Sequence, residues 1–159
     1  MKFNEDTRVK IPTILHLMKL GYQYLSLKSQ SWDQGTNIFP ELFLSAITRI
    51  NPGIEAGDVS RLLEDVKLLL DNEDLGRAFF DRLTERSNTR LIDFENFNNN
   101  SFYVVTELTC QNGDEEFRPD ITLLINGMPL VFIEVKKPNN REGILAERDR
   151  INCISSDQI

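Results

Sequence analysis

The spacing of apolar residues changes once along the chain, near residue 90, and that change limits the fold more than any other feature. Before it, apolar side chains recur at helical spacing; after it, they alternate as in a strand. Helices followed by strands make this a chain of both α and β structure, whose apolar faces must be buried against one another. At 159 residues the chain is long enough for one domain with a real core.

Local signals place the elements. Asn4 can cap a helix that carries Glu5 and Asp6 in its first turn. Apolar residues at 11, 14, 15 and 18, closed by Gly21, predict one amphipathic helix kinked at Pro12. Tyr22 to Leu27 predicts a short strand, and residues 28–38 a loop. Pro40 to Ile50 predicts a helix with proline at its start, broken by Asn51-Pro52-Gly53. Asp58 is placed to cap a helix with apolar residues at 59, 62, 63, 66, 69 and 70, and another helix covers about Asp74 to Arg86. Strands are predicted over Phe102 to Thr109, Phe117 to Ile125 and Pro129 to Lys137, the last stopped by Pro138. A turn at Gln111 to Asp114 separates the first two, and Asn126-Gly127 signals a hairpin between the others. A charged helix starts near Asn140. One domain, 1–159, is therefore expected: a helical part over about 1–88, a sheet and hairpin over about 90–138, and a closing helix from 140.

Several chemistries drop out early. The chain has one histidine, His16, and two distant cysteines, Cys110 and Cys153. That leaves no Ser-His-Asp or Cys-His site unless His16 acts alone, too few ligands for structural zinc, and no disulfide framework. Both cysteines read as buried thiols. No stretch resembles a signal peptide or is long enough to cross a membrane. A phosphate loop of the form G-x-x-x-x-G-K-[ST] is missing, since Gly53 and Gly57 are too close together and lack the lysine. This chain is therefore not expected to bind ATP. Net charge is −7, against a free-standing, non-specific DNA binder. The charge is uneven: residues 51–85 hold nine acids and four bases, read as a solvated helical face, while residues 1–30 hold five bases and two acids.

One constellation carries chemistry. Pro119-Asp120 is followed, after thirteen intervening residues, by Glu134-Val135-Lys136. Strand periodicity puts Glu134 and Lys136 on one face, and Asp120 lies on the preceding strand of the hairpin. Two facing carboxylates suit a hard divalent cation such as Mg²⁺, and a nearby ammonium can offset charge developing on a phosphate. The bland alternative is a cross-strand ion pair on an exposed strand. At average composition the bare pattern arises by chance in roughly one chain in twenty to thirty. Asp65-Val66-Lys67 repeats the three-residue spacing, but in a helical stretch. Register decides whether the carboxylates meet. A strict two-residue turn pairs 125 with 128 and turns Asp120 away from Glu134. A three-residue loop, or a compensating bulge, pairs 120 with 134. The longer loop or the bulge is expected.

Asp120 with Glu134-Val135-Lys136 resembles the PD-(D/E)xK nuclease signature. More narrowly, Phe117 to Ile121 and Asn126 to Pro138 resemble the nuclease domain of type I restriction enzyme R subunits. Asn4 to Arg8 with Leu20-Gly21-Tyr22 resembles that family's opening helix, and Asn139 to Ile144 what often follows its catalytic strand. The resemblance implies a restriction-endonuclease-like core, a mixed sheet flanked by helices, here with an inserted helical segment. It implies Mg²⁺ held by Asp120 and Glu134, with the Val135 carbonyl as a candidate third ligand and Lys136 as the catalytic lysine. Glu5 matches a glutamate that approaches the metal; it also reads as a helix-terminal acid favoured by the dipole. The family's Gln-x-x-x-Tyr element has no match, because no tyrosine follows Tyr103. The resemblance further implies double-stranded DNA as substrate, ATP-driven translocation by helicase-like domains of a longer polypeptide, methylation and specificity subunits as partners, and a prokaryotic cytoplasm. This chain would then be a fragment of that polypeptide. The alternatives are a PD-(D/E)xK nuclease of repair or recombination, and a non-catalytic interaction module.

Overall fold

The computed structural model describes residues 6–74, 76–86, 89–112 and 115–136. Glu5, Lys137, Cys153 and the expected closing helix lie outside the described residues. A π-helical segment, Asp6–Lys10, runs into α1, Ile11–Lys19. Gly21 closes α1 at φ +105°: its N–H reaches Met18 O at 3.1 Å, and Tyr22 N–H reaches Leu17 O at 3.1 Å. That is the Schellman closure glycine permits. β1 is only Gln23–Tyr24. α2 spans Pro40–Ile50, α3 Ala56–Leu70 and α4 Arg77–Thr84. The cap position of α3 is Glu55, so Asp58 falls inside the first turn instead of capping it. α4 starts later than the spacing suggests, because the Asp74 carboxylate accepts from the N–H groups of Gly76, Arg77 and Ala78 and sets the helix start beyond itself.

The strands are β2 Phe102–Thr106, β3 Cys110–Asn112, β4 Glu115–Phe117, β5 Ile121–Ile125 and β6 Met128–Ile133. Of the two strands expected from alternation, 102–109 therefore stops at Thr106 and 117–125 is interrupted after Phe117, while Gln111 and Asn112, expected in a turn, belong to β3. Glu107, at φ +56°, ends β2, and Pro119, without an amide proton, falls between β4 and β5. β3 and β4 form a separate antiparallel pair. The main sheet is mixed, in the order β1-β2-β5-β6, with β1 parallel to β2 and the other pairs antiparallel.

Alternation along β2 and β5 divides the core between the two faces of this sheet. Val104, Ile121 and Leu123 face Val9, Ile14 and Leu17 of the opening helical segment. Val105 and Leu124 face the other way, with Phe39, Leu42 and Trp32. A third cluster joins α2 and α3 to the hairpin turn through Phe43, Ile47, Val59, Val66, Leu91 and Met128. The buried stripe of α1 is thus not the expected 11, 14, 15 and 18. Ile11, Leu15 and Met18 are exposed, while Lys10 is 6% exposed.

The hairpin turn is the most enclosed joint. Asn126 and Gly127 have φ +52° and +81°, as the two-residue turn with both residues left-handed requires. Gly127 lies on the first turn of α2: its carbonyl accepts the Phe39 N–H at 2.9 Å, and an added Cβ would stand 2.6 Å from Phe43 N and 2.8 Å from Phe39 O. Both obstacles are backbone and cannot swing aside. Gly127→Ala is expected to destabilise the chain by about 2–5 kcal/mol, left-handed strain and overpacking together, read by urea denaturation. A loss under about 0.5 kcal/mol would show that α2 can back away from the turn.

Candidate active site

Register brings the expected residues together. The turn itself is tight, pairing Ile125 with Met128 and Leu124 with Pro129. The ladder then slips: Leu123 pairs with Val131, Thr122 with Phe132 and Ile121 with Ile133. Leu130 is the extra residue of a β-bulge. Of the two routes to a facing pair, the chain takes the bulge. One step beyond Ile121 and Ile133 lie Asp120 and Glu134, which hydrogen-bond through their side chains.

Each residue is held from more than one direction. Val135 is buried against Val104, Ile121 and Leu123, which anchors the segment after β6. Its N–H donates to Asp120 Oδ2 at 3.0 Å. Lys136 Nζ lies 3.8 Å from Glu134 Oε2, and both side chains are half-buried. The decoy spacing 65–67 does something else: Val66 is buried under α3, and Lys67 pairs with Asp33 and Glu64.

Two charged residues at the site have no part in the motif. Lys10 Nζ lies 2.7 Å from Glu107 Oε1 and 3.6 Å from Asp120 Oδ1. The Glu107 N–H also donates to Asp120 O, at 3.3 Å. Lys10 was legible only as a lysine four residues before Ile14 on what became the core face. Glu107, inside an apparently continuous strand, gave no signal. Asp6 belongs to the same segment as Lys10, and Glu5 precedes it outside the described residues.

The electrostatics favour an ionised Asp120. Burial raises the Asp120 carboxyl, but the Val135 N–H, the hydrogen bond with Glu134 and the Lys10 and Lys136 charges outweigh it, leaving the group below its ordinary value. The hydrogen bond and charge of Lys10 likewise lower Glu107. Cys110 shows the opposite case: burial pushes its thiol up to about 11, so it is inert at neutral pH. His16 is exposed on α1.

Among the described residues, no group of three or more His, Cys, Asp or Glu gathers as a metal cluster. The donor set on view is the Asp120–Glu134 pair. That suits Mg²⁺, which takes one or two carboxylates and keeps waters and phosphate oxygens for its other positions. It does not suit zinc, which needs nitrogen or sulfur ligands.

A mixed sheet sets two carboxylates and a lysine together at the end of a bulged hairpin, a candidate charged site on an α/β scaffold. The family described as type I restriction enzyme R protein N terminus matches residues 2–152, and the chain belongs to it. It is similar to a putative type I restriction enzyme MjaIXP endonuclease subunit of Methanocaldococcus jannaschii, 29% identical over 174 aligned positions that cover 89% of this chain and 16% of that protein. It is also similar to the type I restriction enzyme HindI endonuclease subunit of Haemophilus influenzae, 27% identical over 79% of this chain and 14% of that protein. A second Methanocaldococcus relative, the putative MjaVIIP endonuclease subunit, is 42% identical over 53 residues. The chain thus spans about one sixth of the length of such curated relatives. No solved structure matches it. Among the described residues, no helix is long and apolar enough to cross a membrane.

A pH dependence follows from the lowered carboxyls. Asp120 and Glu107 bind protons more weakly folded than unfolded, so their stabilisation is complete above their unfolded values and is lost as pH falls through the lower native ones. Melting temperature is expected to hold from pH 7 to about 5 and to drop below about pH 4. Asp120→Asn should flatten part of that drop. An unchanged acid limb in the variant would show that the carboxylate is not held by these partners.

Proposed function

We propose that this chain is a Mg²⁺-dependent DNA endonuclease domain of a type I restriction enzyme. The observation that carries the reading is the bulge at Leu130, which sets Asp120 beside Glu134 with Lys136 on the same segment. Without it the same motif would be a surface ion pair. Family membership supports the restriction-system setting, and the names of the curated relatives support endonuclease chemistry.

In this reading Asp120 and Glu134 hold the cation, and the Val135 carbonyl and Glu5 are further candidates to approach it. Mg²⁺ bound there would supply a polarised phosphate oxygen and a more acidic water. The chain's own work is positional and electrostatic. Val135 N–H holds Asp120 toward Glu134 before any substrate arrives. Lys136 then offers N–H donors and positive charge where a scissile phosphate gains negative charge, and it can orient an attacking water. Its ion pair with Glu134 keeps the ammonium in that position. The core follows a PD-(D/E)xK arrangement, with α2–α4 as the inserted helical segment. Double-stranded DNA is the substrate, and recognition and ATP-driven translocation belong to other domains and to methylation and specificity subunits. The acidic α3–α4 surface is compatible with that division, since the domain need not find DNA alone.

The metal test uses the chain itself. Mg²⁺ or Mn²⁺ should raise its melting temperature by relieving repulsion between facing carboxylates, and Asp120→Asn should abolish the rise. An equal rise in the variant would place the metal elsewhere. In the assembled enzyme, Lys136→Ala should slow cleavage on the order of 10²–10³-fold while ATP hydrolysis persists. Undiminished cleavage by Lys136→Ala would overturn its catalytic role.

A further inference from the structure

Lys10 has no place in the signature, yet it is the most buried charge at the site. Its side chain is 8% exposed, and its ammonium touches Glu107 at 2.7 Å and Asp120 Oδ1 at 3.6 Å. The other oxygen of that carboxylate, Oδ2, accepts the Val135 N–H. Asp120 is therefore held at both oxygens by this chain. The brace is doubled: Glu107 grips the ammonium through its side chain and donates its own N–H to the Asp120 carbonyl. It does so from a left-handed conformation, φ +56°, that a glutamate adopts only under constraint. Lys10 itself ends the π-helical segment, a distortion frequent where a helix must present a functional side chain.

We propose that Lys10 is a positioning residue that fixes the Asp120 carboxylate and makes the site select Mg²⁺ over the larger Ca²⁺. The inference rests on the reading of Asp120 and Glu134 as cation ligands. Ca²⁺ binds at about 2.3–2.6 Å, tolerates irregular shells and often takes both oxygens of a carboxylate; Mg²⁺ demands a compact octahedron at about 2.0–2.1 Å and keeps its waters. A carboxylate hydrogen-bonded at Oδ2 and ion-paired at Oδ1 resists turning to embrace the larger ion. The ammonium beside Oδ1 also repels a cation from that side. Freeing Oδ1 would remove both obstacles, and Ca²⁺ would gain more than Mg²⁺.

Thermal melts of the chain titrated separately with MgCl₂ and CaCl₂ test this. Lys10→Met keeps a buried unbranched stem and removes the charge. It should lower the cation-free melting temperature and shift the ratio of the Ca²⁺ to Mg²⁺ half-saturation concentrations toward Ca²⁺ by roughly tenfold or more, the scale of outer-shell changes at metal sites. Lys10→Arg should recover most of the preference. With Asp120→Asn neither salt should stabilise the chain, whichever residue stands at position 10, because both ions act through that carboxylate. A Lys10→Met chain with a lower melting temperature but an unchanged ratio overturns the proposal and leaves Lys10 a structural ion pair. Should Lys10→Met not fold, Lys10→Gln removes the charge while keeping a donor for Glu107; a shift in the same direction supports the proposal, and none overturns it. Wild-type stabilisation that survives Asp120→Asn is a different failure, since it removes the cation-ligand reading itself.

Discussion

The Asn126-Gly127 turn is the joint on which the rest of the molecule depends. Asn126 is fully buried, and its side chain completes three hydrogen bonds: Nδ2 donates to Leu91 O and Asn100 Oδ1, and Oδ1 accepts from Ser101 N–H. Asn100 passes the linkage to Asp93 by exchanging bonds with its main chain. The Asp93 carboxylate accepts from the Glu95 and Asn96 N–H groups and from Asn99, and the Asn96 bond leads in holding it below its ordinary value. The irregular stretch from 91 to 101 is thereby tied to the tip of the hairpin. Gly127 ties the same tip to α2. A turn clamped on both sides cannot slide, so the ladder below it has one register.

That register makes the site. With the turn fixed at two residues, an unbroken ladder would leave Asp120 and Glu134 on opposite faces. The bulge at Leu130, four residues before Glu134, corrects the parity by one residue. Bulges re-aim side chains at a cost in ladder bonding, and this one is placed where the re-aiming has a chemical consequence. Leu130 packs against the α2–α3 cluster, so the extra residue is not wasted on solvent.

What the sequence made legible were patterns with a strong local cause. Pro40 at a helix start, Gly21 at a helix end, Asn-Gly between two alternating runs, and the change of period all act within a few residues, and each element appears where they place it. What stayed hidden depends on tertiary pairing. Alternation runs straight through Glu107 and Pro119, so one strand reads three residues too long and another reads as unbroken. The stripe of α1 was displaced because apolar Ile11, Leu15 and Met18 outrank a lysine in any hydrophobic count, although Lys10 is the residue that points inward. No periodicity argument chooses a lysine for a core face unless carboxylates wait there, and those come from positions 107 and 120, about a hundred residues away.

The site also shows where stability has been spent. Taking the Lys10 ammonium out of water costs several kcal/mol before attraction to its more exposed carboxylate partners offsets it. A left-handed glutamate costs on the order of 1–2 kcal/mol more. A leucine at position 10, continuing the apolar face of α1, would avoid both the buried charge and the need for Glu107 to meet it. The fold can carry this expense because its largest apolar cluster, between α2, α3 and the hairpin tip, lies at the far end of β5 and β6 from Asp120 and Glu134. Stability is concentrated at the closed end of the hairpin and strain at the open end. That polarity gives the carboxylate pair a rigid foundation while leaving its outer side half-exposed, as a site must be if a phosphate is to reach it.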